Sequence, residues 1–351
     1  MKKIILVAPL NWGLGHATRC IPIIRALQDN GFTPIIGSDG VALNLLKHEF
    51  PELTFIEFPS YNISYAKKAK NFKWAILKST PKMLKAIKAE KKFTKQLIED
   101  YNIDGIISDN RLGVYSKHVP SVFITHQINV LSGNTTKISS KLHQQIIKKF
   151  TQCWVPDQHN EPSLSGILGH LNHFNPSIKY IGPLSRFEKV ETQQTIDILA
   201  LISGPEPQRT LLQEKLISEL QHLNKTIVMV CGLVENEQSV KQIGNMNVYN
   251  FMTSQQLQDT FNKSRLIVSR SGYTTVMDLA KLGKKAFFIP TPGQFEQEYL
   301  AKKLQEDGLV PYCKQDEFNV EKLRVVDEFK GLSSFDFEIN FKSLFSLFKG
   351  E

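Results

Sequence analysis

The chain has 351 residues, 41% of them hydrophobic and 22% charged, enough for ordinary globular cores and longer than a usual single domain, so two domains are expected. The formal charge is +9, and the four cysteines, Cys20, Cys153, Cys231 and Cys313, are scattered without a CxxC pair, which gives no sign of a disulfide framework or a zinc site. The apolar run 4–8 is too short for a signal peptide, nothing reaches the ~18 residues of a membrane span, and no solenoid repeat is visible, so a cytoplasmic protein is expected.

In chain order, residues 3–9 read as a buried strand, 17–29 as a helix and 33–37 as the next strand, with Gly31 as a helix C-cap. The loop Asn11-Trp12-Gly13-Leu14-Gly15-His16 joins the first two, and Gly15 permits close approach of a ligand. Gly13-Leu14-Gly15 lacks the third glycine of a dinucleotide fingerprint, where Thr18 stands, so no nicotinamide cofactor is expected. His16 sits where a helix N-terminus disfavours imidazolium and keeps a neutral base available. Its alternative is a histidine that only satisfies the loop backbone. Arg19 is a candidate for an acceptor anion.

Residues 54–58 read as a third strand. Between Lys67 and Lys95 eleven lysines stand against one acid, Glu90, interleaved with Phe72, Trp74, Ile76, Leu77, Met83, Leu84 and Ile87. Such a segment suits an anionic membrane surface, and its alternative is a solvated helix face. No nucleic-acid recognition motif accompanies it, so no nucleic-acid partner is expected. A helix is expected over 81–100 and strands over 104–108 and 121–125. Their ends carry Asp109 and then His126 and Gln127, polar residues that suit a shared cleft. Asp109 is read as a base or as the group that orients His16, against the alternative of a turn cap. A helix over 141–150 and strands over 152–156 and 180–184 follow, and the polar run 188–195 reads as an interdomain linker.

The second half opens with a strand over 197–202. It runs into a turn at Ser203-Gly204 and a helix from about Thr210, the placement of a phosphate-contacting loop, with Arg209 suited to a diphosphate. Strands are expected over 226–230 and 247–249, the second followed by Phe251 and Met252. Residues 266–268 form a short apolar strand, Arg270-Ser271-Gly272 the turn after it, and 274–282 a helix. The N–H groups at that helix start suit a phosphate, and Asp278, about one turn further in, suits ribose hydroxyls. A strand over 286–289 ends in Pro290-Thr291-Pro292-Gly293, a rigid loop leading to Gln294, Glu296, Gln297 and Glu298, which suit sugar hydroxyls. The stretch 335–349 holds Phe337, Ile339, Phe341, Leu344, Phe345, Leu347 and Phe348.

The stretch from Val268 to Ala301 resembles the donor-site signature of GT-B glycosyltransferases, close to glycosyltransferase family 28. The shared order is a Ser-Gly turn, a helix with a ribose-binding acid, then a proline-bounded loop with glutamines. Asp278 stands where the family usually has Glu, Gln297 falls on its first glutamine, Glu298 replaces its second, and Ala301 replaces a common asparagine. The loop ending in Gly15-His16 resembles the family's glycine-rich first loop, and Thr125-His126-Gln127-Ile128-Asn129 its acceptor-side loop. The resemblance implies an α/β, GT-B fold: two Rossmann-like domains facing a central cleft, over 1–187 and 196–330, with 331–351 as a closing helix crossing back to the first.

It further implies an inverting transfer from a UDP-sugar, N-acetylglucosamine being the family's sugar, to a lipid-linked or saccharide acceptor in the cell envelope. His16 then removes the acceptor proton with Asp109 second, and Gly15, Arg19, His126 and Gln127 lie on the acceptor side. Ser203, Gly204, Arg209, Arg270, Ser271 and Gly272 meet the diphosphate. Phe251, Met252 and Asp278 hold uridine, while Gln294, Gln297 and Glu298 hold the sugar. No Asp-x-Asp motif is visible, so neither a metal nor a cofactor is expected beside the UDP-sugar co-substrate. The expected place is cytoplasmic, peripheral at the inner membrane face through the basic segment. A nucleotide-sugar hydrolase or epimerase on the same fold and a non-catalytic binding module are the alternatives.

Overall fold

The computed structural model describes residues 2–61, 72–171, 177–233, 235, 237–332 and 338–350, and side chains from residue 83 onward in the helix that begins at Phe72. The chain separates into two compact units, Met1–Leu184 with Glu338–Glu351, and Ser185–Phe337.

The first unit runs β1 (Ile4–Pro9), α1 (Gly15–Asp29), β2 (Thr33–Ser38), α2 (Gly40–Glu49), β3 (Thr54–Glu57), α3 (Phe72–Tyr101), β4 (Gly105–Asp109), β5 (Ser121–Ile124), α4 (Thr136–Ile147), β6 (Gln152–Val155) and β7 (Ile178–Tyr180). Among the described residues the strands form one parallel sheet in the order β3-β2-β1-β4-β5-β6-β7. β1, β4 and β5 are buried along nearly their whole length, as apolar runs without alternation require in a parallel sheet covered on both faces. The register pairs Pro9 with Asp109, and Leu10 N–H donates to the Asp109 carbonyl at 2.9 Å, so the carboxyl ends of β1 and β4 are locked side by side.

The second unit runs β8 (Ile196–Leu201), α5 (Gln208–Leu220), β9 (Ile227–Val230), β10 (Val240–Ile243), β11 (Met246–Tyr249), α6 (Ser254–Lys263), β12 (Ser264–Ser269), α7 (Tyr273–Leu282), β13 (Lys285–Phe288) and α8 (Phe295–Glu306). Its strand order is β10-β11-β9-β8-β12-β13, parallel except for the β10–β11 hairpin at the edge. One apolar cluster joins Leu212, Leu216 and Leu220 of α5 to Ala200, Met229, Val268 and Phe287 of the sheet.

A last helix, α9 (Phe341–Lys349), belongs to the first unit. Asn340 caps it by accepting from Ser343 N–H at 3.0 Å, so it starts later than the apolar run suggests; 335–337 lie outside the described residues. Phe345 and Phe348 are buried against Phe32 and Trp154, and Lys3 Nζ donates to the Phe348 carbonyl at 2.7 Å. Residue 105 has to be glycine here, because a Cβ would stand 2.4 Å from the Phe348 ring.

Several expected bounds shift. The helix expected over 141–150 is Thr136–Ile147, and the strand expected over 180–184 is Ile178–Tyr180. α2, α6 and the edge strand β10 were not expected. The residues expected as a polar loop at 296–298 form the first turn of α8. The helix expected from Pro81 begins at Phe72.

Candidate active site

In the first unit α1 begins at Gly15, directly after the β1 loop, with Leu14 at its N-cap and no side-chain cap. His16 and Arg19, three apart, share one helix face. Both reach Asp109 at the end of β4. His16 Nδ1 lies 2.8 Å from Asp109 Oδ1, and Arg19 Nε donates to Oδ2 at 2.5 Å while its Nη2 bonds Oδ1. Arg19 Nη1 donates to His126 Nδ1 at 3.0 Å. Arg19 Nη2 also stands 2.9 Å from His16 Nδ1, but it bonds Asp109 Oδ1 more closely. Because the carboxylate only accepts, its contact with Nδ1 favours the proton there and Nε2 as the lone pair. His16 keeps 15% of its side-chain surface exposed, whereas Asp109 has none and Arg19 has 1%.

Burial lowers the His16 pKa from its ordinary value, the Asp109 charge opposing it and the Arg19 charge adding to it. Burial disfavours the Asp109 carboxylate, but Arg19 and His16 outweigh it and hold the carboxyl well below the usual range. Two expectations are thereby corrected. Asp109 is not a base, because its two oxygens are spent on Arg19 and His16 in full burial; it orients His16. Arg19 is not placed for an acceptor anion, because its guanidinium is committed to Asp109 and His126.

Beside this cluster lies a second buried set that sequence reasoning missed. Arg111, wholly buried, pairs with Asp39 and with Glu90 Oε1 at 2.8 Å, and donates to the Pro9 carbonyl at 3.0 Å. Tyr61 donates to Glu90 Oε2 at 2.6 Å. The lone acid of the basic segment therefore points inward, and Lys85, Lys88, Lys92 and Lys95 stay exposed with Leu84, 54% exposed, among them. Residues 67–71 of that segment lie outside the described residues. Among the described residues no helix is long and apolar enough to cross a membrane.

In the second unit the carboxyl ends of β8, β12 and β13 lie in sheet order. Ser203 and Gly204 are exposed at the end of β8, with Gly204 at φ +107°, a conformation that glycine alone adopts readily. Arg209 is tied to Glu206 and to the Cys231 carbonyl at 3.2 Å, so a diphosphate would have to displace a carboxylate to reach it. Gly272 stands at the N-cap of α7 in extended conformation without a side-chain cap, so the partial positive charge of the helix start lies directly after the end of β12. Ser271 Oγ donates to the Gln297 carbonyl at 2.7 Å, so its hydroxyl proton is committed to α8.

Asp278 is half-buried and accepts from Ser185 Oγ at 2.7 Å. Burial raises its pKa to about 7, against the lowering effect of Ser185 and Arg186. Ser185 lies 93 residues away in the chain, and nothing in the sequence signals that pairing.

Phe251 is half-buried, and its backbone already carries protein partners: its N–H donates to Asn250 Oδ1 at 2.9 Å and its carbonyl accepts from Gln238 Nε2 at 2.8 Å. The Met252 sulfur accepts from Thr260 Oγ1 at 3.4 Å. Gln297 Oε1 accepts from Thr291 N–H at 2.8 Å, leaving its NH2 group as a donor, and Gln294 caps α8 without a side-chain bond to the helix. Glu298 Oε1 accepts from Gly293 N–H at 2.9 Å, so Glu298 braces the loop as well as facing solvent.

Arg270 corrects a further expectation. It is wholly buried, and its guanidinium reaches backbone carbonyls and a glutamine side chain, so it does not present itself to a ligand's surface.

Residues 206–328 match the model of the glycosyltransferase family 28 C-terminal domain. The chain is a GT-B glycosyltransferase. A protein of Methanosarcina mazei named an uncharacterized glycosyltransferase is 24% identical, over 91% of this chain and 88% of its own. The UDP-N-acetylglucosamine--N-acetylmuramyl-(pentapeptide) pyrophosphoryl-undecaprenol N-acetylglucosamine transferase of Sulfurihydrogenibium is 23% identical, over 88% of this chain and 85% of its own. Among solved structures, Acinetobacter baumannii MurG aligns at TM-score 0.60 and 15% identity over all of both chains. The calicheamicin glycosyltransferase CalG4 aligns at 0.64 and 12% over 99% of this chain and 94% of its own. At those identities the structural likeness speaks for the GT-B fold, and the family 28 match covers the donor-side loops of this glycosyltransferase from Arg209 onward, with Ser203 and Gly204 just outside it.

Proposed function

We propose that the chain is an inverting transferase that moves a sugar from a UDP-sugar to a lipid-linked or saccharide acceptor, with His16 as general base and without a bound metal. The observation that carries this reading is the His16–Asp109–Arg19 cluster, in which the carboxylate favours Nδ1–H and leaves Nε2, on a side chain that keeps 15% of its surface exposed, to take a proton. The acceptor hydroxyl gives its proton to Nε2 and its oxygen bonds the anomeric carbon. The bond from that carbon to the diphosphate breaks in the same displacement, which inverts the centre. Asp109 steadies the imidazolium so formed. The leaving charge meets the uncapped start of α7, the Gly204 turn and Arg209 once Glu206 releases it.

Asp278 takes the ribose, Phe251 packs against the base, and Gln294 and Gln297 hold the sugar. The curated relatives' names supply UDP-N-acetylglucosamine as the first donor to try. The exposed lysines around Leu84 support a peripheral seat on an anionic, cytoplasmic membrane face.

A thermal-shift titration with UDP, GDP, TDP and ADP, each with magnesium and with EDTA, tests the donor assignment, since only a ligand preferring the folded state raises the melting temperature. Selective stabilisation by UDP, unchanged by EDTA, is expected. A response to another nucleotide overturns the base assignment, and a response lost in EDTA overturns the metal-free reading. Turnover of UDP-N-acetylglucosamine with and without a lipid-linked acceptor then distinguishes transfer from hydrolysis.

A further inference from the structure

Three arginines are buried to 1% exposure or less: Arg19, Arg111 and Arg270. The first two sit on carboxylates. Arg270 does not. Its Nη1 donates to the Ile289 and Pro290 carbonyls, both at 3.0 Å, and its Nη2 to the Gln208 carbonyl at 2.8 Å and Gln315 Oε1 at 2.6 Å. All four acceptors are neutral, and among the described residues no acid pairs with it. Burial lowers its pKa to about 10, which leaves it charged at neutral pH. A buried charge without a counter-charge is costly, and neutral carbonyls offset only part of that cost.

The position of the guanidinium is specific. It ties together the first residue of α5, which follows β8, the end of β12 that carries it, and the chain just after β13. These are the three adjacent strand ends that bear Gly204, Gly272 and Thr291. A second observation lies on the same shelf. Thr291 Oγ1 is buried, the residue being 2% exposed, and has no hydrogen-bond partner among the described residues. A Cβ placed on Gly204 would stand 3.5 Å from that hydroxyl, so it faces the β8 turn. Arg270 Nε–H is likewise unpartnered.

We infer that Arg270 is a positioning residue of the donor-phosphate site, left without a carboxylate so that a bound nucleoside diphosphate supplies its counter-charge, and that the Thr291 hydroxyl donates to that diphosphate. The inference rests on the donor-site reading above. The clamp sets the spacing of the three loops, and its field adds to the helix N-terminus beside Gly272. A carboxylate partner would cancel that field, which gives a reason for a glutamine at 315.

Gln315→Glu tests this without touching the arginine. The substitution keeps the bond to Nη2 and adds the missing counter-charge. UDP is titrated calorimetrically into wild type, Gln315→Glu and Thr291→Val, and the melting temperature of each free protein is recorded. The expected result is at least a tenfold loss of UDP affinity for Gln315→Glu with a melting temperature equal to or above that of wild type. A fivefold loss is expected for Thr291→Val, again without loss of stability. UDP affinity unchanged in both variants overturns the inference, as does weaker binding that merely follows a lowered melting temperature. Failure of wild type itself to bind UDP or any of the other three diphosphates overturns the donor-site reading instead.

Discussion

The first unit matches its buried arginines with acids, and the second does not. Around β1 and β4, Arg19 and Arg111 are each matched by acids, Asp109 for one and Asp39 with Glu90 for the other. At the end of β12, Arg270 is matched by none among the described residues. The difference separates two tasks. A base needs a fixed tautomer and a settled charge, which a closed ion-pair network gives to His16. A phosphate site needs residual positive potential, which a closed network would remove.

The largest effect is expected from breaking the closed network. Asp109→Ala leaves Arg19 buried without its carboxylate, and a loss of about 3–5 kcal/mol in urea unfolding of the first unit is expected. The same carboxylate links stability to pH. Its folded-state pKa is depressed, so its contribution is complete above the unfolded value and is lost as the pH falls below about 4. An acid-unfolding midpoint that is the same in Asp109→Asn as in wild type would contradict this.

Next comes His16→Ala, for which kcat is expected to fall by about 10²–10⁴-fold with UDP affinity intact. Because burial lowers the His16 pKa, the acidic limb of kcat/KM should lie below pH 6.5, with a plateau through neutrality. A limb at or above that value would mean that the imidazole is not the titrating base.

A smaller, pH-dependent change is expected at Asp278. Its carboxyl titrates at about 7, and the ionised form is the better acceptor for ribose hydroxyls, so UDP affinity should rise as the pH is raised through 7. Asp278→Asn should weaken binding by roughly tenfold above that pH and flatten the dependence. An unaltered profile would remove Asp278 from the ribose site.

The smallest effect is expected at Glu206, whose carboxylate competes with a diphosphate for Arg209. This ion pair is partly exposed and so contributes little, and Glu206→Gln should tighten UDP binding by only about two- to fivefold. Weaker binding in this variant would show that Glu206 helps to hold the loop for the donor.

Apolar runs made the central strands of both sheets legible in the sequence, because a strand buried on both faces has few other compositions. The helix after Gly272 was equally plain from its spacing. Edge elements were not. β10 is largely exposed, with the pattern of a polar loop, and it is a strand only because β11 pairs with it. α8 begins with acids and glutamines that read as a sugar-gripping loop, although acids in a first turn also favour a helix start.

At the candidate site, His16, Asp109 and Asp278 were singled out from their places at strand and helix ends. Beyond the pairing of Asp109 with His16, their partners were not. Glu206 and Arg209 stand three apart, a spacing visible in the chain. Asp109 with Arg19 and Asp278 with Ser185 are separated by about ninety residues and gave no local sign.

The α/β alternation, the glycine turns and the positions of the polar residues that follow the strands are legible along the chain, since each depends on neighbours within one or two turns. Tertiary structure alone decided which of those residues are spent on the protein. Arg19 and Asp109, both candidates for substrate contact by position, are consumed by each other. Arg270, chemically like Arg19, is left without an acid. That distinction is set by what the sheet order brings alongside each guanidinium, because the cost of a buried charge depends on its surroundings in space and not on its place in the chain.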